Sequence, residues 1–450
     1  MAIWNVAAPT FFNLLETHAS VTPLMSQRPI DDCFRPLEPR MKHDKAIALL
    51  KERIVPVVDT EEVNLTTAGG RVLARNAVAS FEIPAHTNAA VDGYAFAFSD
   101  YDAEKGVDLP VVGRAAAGRP FEDTVKSGTA VRILTGAVLP GGVDTIAMQE
   151  DVLRTEADVI RVRIPGGLKA GANVRRAGED VKTSETLFEA GHILRPQDLA
   201  ALASAGIAAP LCFKRLRLGI VSTGDEVIAV GSRALDHGEV YDANSPMLSE
   251  LTRLAGTETE YLGIWPDKPE EVEQRLKAAA ERFDVILTTG GASRGEEDHI
   301  SRVLERLGTR HFWQLDVKPG RPMMFGQIGN TVVVGLPGNP VAVFVCFLMY
   351  VFPLLRKLSG AQWFEPHRIR LPADFEVAKR KIGRREFWRG MMVPSDTGLR
   401  AGKFKRDGSG LISGLRAADG IIEVAEDVPH VQPGDMVQFI PFSEYGIPSR

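Results

Sequence analysis

The chain has 450 residues, of which 44% are apolar and 25% are charged, and its formal net charge is −5. These values are ordinary for a globular protein of roughly three or four domains, and the acidic balance argues against a dedicated nucleic-acid binder. The three cysteines, Cys33, Cys212 and Cys346, are far apart and form no Cys-x-x-Cys pair. This spacing excludes a cysteine-rich zinc site and favours a reducing, cytoplasmic environment.

The N-terminal half of the chain is irregular and rich in turn residues. Residues 1–40 contain five prolines and little periodicity, so we expect a weakly ordered extension; they also lack the basic region and apolar core of a signal peptide. An amphipathic helix is expected over residues 45–55, and a second over 196–206. Residues 84–181 are rich in glycine, valine and turn residues, which predicts a small β domain.

From residue 216 onward, apolar strand-like runs alternate with helical patterns. The runs at 218–222, 285–287 and 331–336 resemble buried strands, while Ser245-Pro246 and Pro269 each open a helical pattern. This alternation predicts a doubly wound parallel sheet of the α/β class. The apolar run 341–355 is too short to span a membrane and contains Pro353, so we expect a buried helix. After about residue 365 the β pattern returns and predicts a compact barrel or sandwich.

Three loops follow predicted strands of this sheet, where α/β proteins bind ligands. They are Thr223-Gly-Asp-Glu226, the segment 290–298 and Pro337-Gly-Asn-Pro340. The second is glycine-rich, ends in the acids Glu296, Glu297 and Asp298, and leads into a helical pattern. Glycines and a helix start favour an anion, whereas acids oppose one unless a cation lies between them. The segment therefore indicates a polyanionic ligand with a divalent metal, the alternative being a strand–helix turn with solvated acids.

Carboxylates on loops form the most informative set of candidate residues. Hard oxygen ligands suit Mg²⁺, which usually takes one or two carboxylates together with substrate phosphate. Lys318-Pro-Gly-Arg321 adds cations that suit phosphate or another oxyanion, the alternative being a solvated turn. Neither a P-loop nor a dinucleotide fingerprint is present, and His-Glu-x-x-His does not occur. The acids of interest are Asp92, Asp180, Glu226, Asp267 and Asp298.

Seven short motifs occur in a characteristic order. They are Asn88-Ala-Ala-Val-Asp-Gly-Tyr-Ala95, Arg132-Ile-Leu-Thr-Gly136, Arg176-Ala-Gly-Glu-Asp180, Ser222-Thr-Gly-Asp-Glu226, Gly290-Gly-Ala-Ser-Arg-Gly-Glu-Glu-Asp298, Lys318-Pro-Gly-Arg-Pro322 and Gly335-Leu-Pro-Gly-Asn-Pro340. From about residue 41 to its end, the chain thereby resembles the molybdopterin molybdenumtransferase family, which includes MoeA and the E domain of gephyrin. Gly383-Arg-Arg-Glu-Phe387 and Gly408-Ser-Gly410 are also similar to the family.

The resemblance implies an enzyme of molybdenum cofactor biosynthesis. Such an enzyme takes adenylylated molybdopterin and molybdate with Mg²⁺, hydrolyses the adenylate, inserts molybdenum at the dithiolene, and releases AMP and the cofactor. It also implies a homodimer, with molybdopterin adenylyltransferase and apo-molybdoenzymes as further partners. The implied domains are a linker and dimer domain at 41–83 and 182–212, an inserted β domain at 84–181, a MogA-like α/β domain at 213–363 and a C-terminal β-barrel-like domain at 364–450.

The resemblance also assigns roles by motif position. The implied catalytic residues are Asp92, Thr135, Asp180, Glu226, Asp267 and Asp298, and the implied metal ligands are Glu226, Asp267 and Asp298. The implied substrate-binding residues are Gly290, Gly291, Ser293, Gly295, Lys318, Arg321, Pro337 and Pro340. The chain departs from the family pattern at Ala89, Val91, Arg294, Arg321 and Ala342, which leaves the carboxylate set whole and changes the details of the substrate contacts.

Two other classes of function remain open at this stage. One is a non-catalytic paralogue that binds molybdopterin or acts as a scaffold; a tungstate-inserting enzyme would be a variant of the main hypothesis. The other is a nucleic-acid binder that uses Lys379-Arg-Lys381 and Arg384-Arg385 beside Phe387 and Trp388. Molybdate-dependent release of AMP would separate the enzyme from both.

Overall fold

A computed structural model describes residues 34–155, 159–290, 299–406, 408 and 410–449. The α/β region of the protein is built on a six-stranded sheet that is flanked by helices. In spatial order its strands are Glu258–Trp265, Arg217–Thr223, Val285–Thr289, Thr331–Leu336, Pro322–Ile328 and Thr309–Gln314. The first four strands are parallel and the last two are antiparallel. The α/β class is therefore confirmed, and an antiparallel pair that the sequence pattern did not predict extends the parallel sheet.

Both faces of this sheet are covered, because successive side chains of a strand point to opposite faces. Val285 and Leu287 belong to one apolar cluster, whereas Ile286 between them belongs to another. Val333 likewise joins the second cluster while its two neighbours join the first. The covering helices are Asn244–Leu254, Pro269–Ala280, His299–Leu307 and the run that begins at Pro340. This two-sided burial explains why the central strands read as continuous apolar runs.

The start of the helix Asn244–Leu254 differs in detail from the prediction. The predicted opening at Ser245-Pro246 falls in the first turn of the helix, and the helix start is capped by the carboxylate of Asp242. Its Oδ1 accepts hydrogen bonds of 3.0 Å from the backbone N–H groups of Asn244 and Ser245. An acid at this place satisfies N–H groups that lack a partner within the helix and complements the helix dipole.

The long apolar run forms the buried helix that its sequence predicts. It consists of Pro340–Cys346, a π-helical turn Phe347–Val351 and Phe352–Leu358. The wider π-helical turn ends two residues before Pro353, whose ring has no N–H and would crowd the preceding turn of a regular α-helix. By length and composition alone this helix is apolar enough to cross a membrane, but 89% of its apolar stretch is buried inside the protein. Its apolar surface is therefore that of a core helix.

The N-terminal half forms a linker region and a second six-stranded sheet. That sheet has the spatial order Thr145–Met148, Gly93–Phe96, Ala130–Ile133, Val107–Ala115, Arg161–Ile164 and Leu153–Thr155. The linker region contains the helices His43–Arg53 and Pro196–Ser204. Its short strand pairs are Thr60–Glu62 with Leu211–Phe213, Ala77–Val78 with Thr186–Phe188, and Asn88–Ala89 with Val174–Arg175.

The C-terminal sheet includes a strand that comes from the α/β region. Its spatial order is Val317–Lys318, Arg385–Ser395, Gly420–Val424, Met436–Pro441 and Ile369–Pro372, and Gly398–Lys403 pairs with Arg385–Ser395. The helix Ile412–Ala417 follows a turn beside it. Because Val317–Lys318 pairs in parallel with the start of Arg385–Ser395, the C-terminal sheet is joined to the α/β region by backbone hydrogen bonds.

Phe34 is packed into the core, which corrects the expected extension at this point; residues 1–33 lie outside the described residues. Phe34 is 1% exposed and its ring stacks on Phe325, with centroids 5.0 Å apart. The buried Trp313 donates its Nε1–H to the carbonyl of Phe34 at 2.7 Å. The prediction of weak order up to residue 40 is thus wrong at Phe34, because a proline-rich segment without periodicity can still place one aromatic ring in an apolar site.

Candidate functional site

The carboxyl ends of the four parallel strands are aligned in one row. Thr223 pairs with Trp265, and Thr289 pairs with Leu336, while Ser222 pairs with Thr289. The segments that follow these residues must therefore leave the sheet side by side. They carry Asp225 and Glu226, then Asp267, then Gly290, and finally Pro337-Gly-Asn-Pro340. The described parts of the three predicted loops thus share one edge of the sheet, whereas Gly291, Ser293, Gly295 and Asp298 lie outside the described residues.

A cavity of about 700 Å³ lies between this edge and the C-terminal sheet. Four predicted substrate-binding residues line it, namely Gly290, Lys318, Arg321 and Pro337, and Pro340 begins the helix beside it. The opposite wall was not predicted and comes from the C-terminal sheet and the loop after it. This wall consists of Phe387, Trp388, Arg389, Lys403, Phe404 and Gly408.

The cavity combines positive charge with aromatic surface. The ammonium of Lys403 lies 5.4 Å from the centre of the Trp388 ring. Arg389 is 7% exposed and donates hydrogen bonds to the carbonyls of Gly408 and Arg406, which holds the loop that closes this wall. Lys318 has a side chain that is 54% exposed and therefore reaches the open part of the cavity. Cations beside flat apolar surface suit a ligand with both an anionic and a ring-shaped part.

Two glycines of this cavity have a structural reason for lacking a side chain. Gly290 has φ +89° and Gly320 has φ +98°, a region that other residues rarely adopt. A Cβ atom at Gly290 would lie 2.6 Å from Thr223 Oγ1, and one at Gly320 would collide with Cys346 Sγ. Both turns therefore bring backbone close to neighbouring atoms, which shapes the cavity where its motifs lie.

The acids on the α/β edge lie on neighbouring loops. Glu226 is exposed, and the N–H of Asp267 lies 3.4 Å from Asp225 Oδ1, so the loops after two adjacent strands are in contact. Among the described residues no group of three metal-ligating side chains is assembled, and the third predicted ligand, Asp298, lies outside them. Two of the three predicted carboxylate ligands are therefore on loops that meet at this edge.

Sequence reasoning missed Asp242, a buried carboxylate that organises the same edge. It is 5% exposed and accepts hydrogen bonds from Ser222 Oγ at 2.6 Å and Tyr261 OH at 2.9 Å, besides capping a helix. Burial favours the protonated carboxyl, but the hydrogen bonds from Ser222, the N–H of Ser245 and Tyr261 outweigh it and hold the pKa of Asp242 below its ordinary value. Its position after a short exposed strand gave no signal of burial.

The remaining predicted residues lie in the inserted β domain. Asp92 Oδ1 accepts hydrogen bonds from the hydroxyl of Thr135 at 2.7 Å and from its N–H at 2.8 Å. These bonds, first that of the hydroxyl, lower the pKa of Asp92, and the positive charge of Arg132 adds to the effect. Asp180 is exposed, and its N–H donates to the carbonyl of Ile83. The structure thus joins Asp92 to Thr135 and places them in a different domain from Glu226 and Asp267.

The basic and aromatic residues of the nucleic-acid alternative do not share one exposed surface, although Lys379 and Lys381 are exposed. Arg380, Phe387 and Trp388 are 8%, 2% and 8% exposed. Arg385 is bound by Asp44, Glu423 and Glu426. Of the residues that resembled a binding stripe, those from Arg385 to Trp388 therefore belong to a strand that packs inside the fold or against the cavity.

Three family models match successive parts of the chain. The model described as "MoeA N-terminal region (domain I and II)" matches residues 41–206. The "Probable molybdopterin binding domain" matches residues 219–357, and the "MoeA C-terminal region (domain IV)" matches residues 370–442.

Curated relatives and solved structures agree with these models. A molybdopterin molybdenumtransferase of Haemophilus influenzae is 36% identical over 403 residues, which cover 89% of this chain and 98% of the relative. A molybdopterin molybdenumtransferase of a Nostoc species is 34% identical over 327 residues, covering 71% of this chain and 74% of the relative. The crystal structure of the molybdopterin biosynthesis MoeA protein of Pyrococcus horikoshii has a TM-score of 0.76 at 31% identity, and the match covers 89% of this chain and 100% of that one.

Proposed function

Since the chain belongs to the molybdopterin molybdenumtransferase family and is an enzyme of molybdenum cofactor biosynthesis, we propose that it inserts molybdate into adenylylated molybdopterin, hydrolyses the adenylate and releases AMP. The observation that carries this proposal is the cavity between the strand ends and the C-terminal sheet. Lys318, Arg321 and Lys403 line it together with Trp388 and Phe404. Molybdate is a small dianion that such cations bind, and a pterin is a flat ring that aromatic side chains accommodate.

The acids on the loops at the strand ends fit a role in holding Mg²⁺. Glu226 and Asp267 supply the hard oxygen atoms that this ion prefers, and Asp298 completes the proposed set. When bound, Mg²⁺ neutralises charge on the phosphates of the adenylate. Lys318 and Arg321 hold the oxyanion, while Asp242 joins Ser222, near the end of its strand, to the helix start.

Asp92 and Thr135 fit a role in a site shared between two subunits. Thr135 fixes the Asp92 carboxylate and favours its ionised form, which makes it an oriented acceptor for a water molecule or for a substrate hydroxyl. We propose a homodimer in which the inserted β domain of one subunit completes the edge of the other, since most soluble homo-oligomers have twofold symmetry.

The main test is release of AMP from adenylylated molybdopterin with and without molybdate. Molybdate-dependent release by the wild-type protein is expected, with strong loss in Lys318→Gln and none in Lys277→Gln, a helix-surface lysine paired with Glu273. Binding of molybdopterin without any AMP release would instead favour the non-catalytic scaffold. Faster release with tungstate than with molybdate would favour the tungstate-inserting variant.

A mixing experiment tests the shared site separately. Asp92→Asn and Glu226→Gln should each be inactive alone, because each removes one acid from every site. After subunit exchange about a quarter of the wild-type activity should return, since half of the dimers are mixed and each mixed dimer has one intact site. Absence of recovery despite proven exchange would show that both acids act within one subunit.

A further inference from the structure

The side chain of Glu386 links the cavity to the interior of the C-terminal sheet. We propose that Glu386 is a positioning residue that holds the ammonium of Lys318 in the cavity and thereby sets the affinity for the oxyanion. The inference rests on the proposed function, because it assumes that Lys318 binds the oxyanion substrate.

The carboxylate of Glu386 has partners on both sides. Its Oε2 accepts the Nε1–H of Trp388 at 2.8 Å and lies 3.7 Å from Lys318 Nζ. Its Oε1 lies 3.4 Å from Arg380 Nε, close enough for attraction between charges although the two groups are not aligned as a hydrogen bond. Glu386 is 7% exposed and the Arg380 side chain 2% exposed. The carboxylate is therefore a buried, fixed charge with the cavity on one side of it.

The backbone places Lys318 beside this fixed charge. Lys318 pairs with Glu386, and Val317 with Arg385, in a parallel ladder. The N–H of Arg385 also donates to the carbonyl of Asp316 at 2.9 Å. Side chains of paired residues lie on the same face of a sheet. The strand pairing therefore places the ammonium of Lys318 next to the carboxylate of Glu386. Gly320, two residues further on, fits against Cys346 and limits movement of the turn.

Two effects of Glu386 on an incoming anion oppose each other. Its negative charge weakens the positive potential that Lys318 presents to an anion. The same charge also restricts the movement of the long Lys318 side chain, which is half-exposed. A separation of 3.7 Å leaves the ammonium donors available to a second acceptor. Ordering a lysine side chain is costly when a ligand binds, and an anchor already present removes part of that cost. We therefore expect the anchoring effect to be the larger one.

A double-mutant cycle measured by calorimetric titration of tungstate tests the inference on the full chain. The four proteins are the wild type, Lys318→Ala, Glu386→Gln and the double variant. Glu386→Gln keeps a carbonyl oxygen for the indole of Trp388 and removes only the charge. It should weaken tungstate binding about fivefold, in line with an ion pair of partial exposure. In the Lys318→Ala background the same change should have no further effect.

The control is Glu423→Gln, on the neighbouring strand. Glu423 is 8% exposed and pairs with Arg368 and Arg385, away from the cavity, so tungstate affinity should not change. If Lys318→Ala leaves the wild-type affinity unchanged, the proposed oxyanion site itself fails. If Lys318→Ala weakens binding but Glu386→Gln does not, or does so equally without Lys318, the positioning role is refuted.

Glu386→Gln removes the counter-charge of Arg380 and could therefore fold poorly. A second variant tests the inference in that case. Glu386→Asp keeps the charge but withdraws it by one methylene group. It should weaken tungstate binding in the same direction and only when Lys318 is present; an unchanged affinity would overturn the inference.

Discussion

Replacing Phe34 with alanine should destabilise the α/β region although the residue precedes the family match. The ring is 1% exposed and stacks on Phe325 at 5.0 Å, beside the buried Trp313. Truncation of a core phenylalanine costs about 3–5 kcal/mol, of which a stacked aromatic pair accounts for about 0.5–1.5 kcal/mol. We therefore expect the free energy of unfolding to fall by about 3–5 kcal/mol.

Deleting residues 1–40 should lower the free energy of unfolding more than Phe34→Ala does. The deletion also removes the carbonyl that accepts the Nε1–H of Trp313, and a buried donor left without a partner costs about 1–3 kcal/mol. Together the two losses approach the whole stability of a typical domain. Low yield or aggregation of the truncated chain is therefore the expected outcome.

The assay is urea unfolding followed by tryptophan fluorescence, to which Trp313 contributes as one of five tryptophans. The matched control is Leu37→Ala, an apolar residue of the same segment that is 62% exposed, and its free energy of unfolding should stay within about 0.5 kcal/mol of the wild type. A Phe34→Ala protein as stable as the Leu37→Ala protein would refute the packing role of Phe34.

Three further outcomes are expected. Burial lowers the pKa of His43 to about 4, so the stabilisation from its neutral form is complete above the ordinary pKa near 6.5 and is lost as the pH falls towards 4. Between pH 7 and pH 4.5 the free energy of unfolding should therefore fall by about 2 kcal/mol less in His43→Asn than in the wild type. An equal fall in the two proteins would contradict this. Gly320→Ala should displace its turn from Cys346, lose about 1–3 kcal/mol of stability and weaken tungstate binding; wild-type affinity would argue against a rigid turn. Thr135→Val should raise the pKa of Asp92 in a carboxyl NMR titration, because its hydroxyl donor is lost; an unchanged pKa would remove the hydroxyl as the main cause.

The parts of the fold that sequence predicted are those with local causes. The helix Pro269–Ala280 begins at the proline that opened its pattern. The strand Thr331–Leu336 coincides with the apolar run that predicted it, and the strand Val285–Thr289 begins with its run 285–287 and continues for two residues. The strands Thr309–Gln314 and Pro322–Ile328 were not predicted. They pair in antiparallel fashion at the side of the sheet, and their place depends on a neighbouring strand rather than on a periodic pattern of their own.

In the candidate site, too, the sequence predicted residues in local motifs and missed residues that only the tertiary fold brings together. Lys318, Arg321 and Pro337 were found because their short motifs are contiguous in sequence, and the structure brings them to one cavity. Lys403 and Arg389 reach that cavity only because the C-terminal sheet folds against the α/β edge, and no local pattern encodes that approach. Their signal in the sequence was limited to nearby motifs, one ending at Phe387 and one starting at Gly408.

The strand Val317–Lys318 limits where the chain can be cut into fragments that fold on their own or can be exchanged between relatives. A fragment that started at residue 364 would contain the strand Arg385–Ser395 without the partner of its first residues. Unpaired backbone N–H and C=O groups at a sheet edge recruit other chains, so such a fragment would be prone to associate. Chimaeras between relatives should therefore exchange residues 317–318 together with the C-terminal sheet, although some 65 residues of sequence separate them from their partner strand.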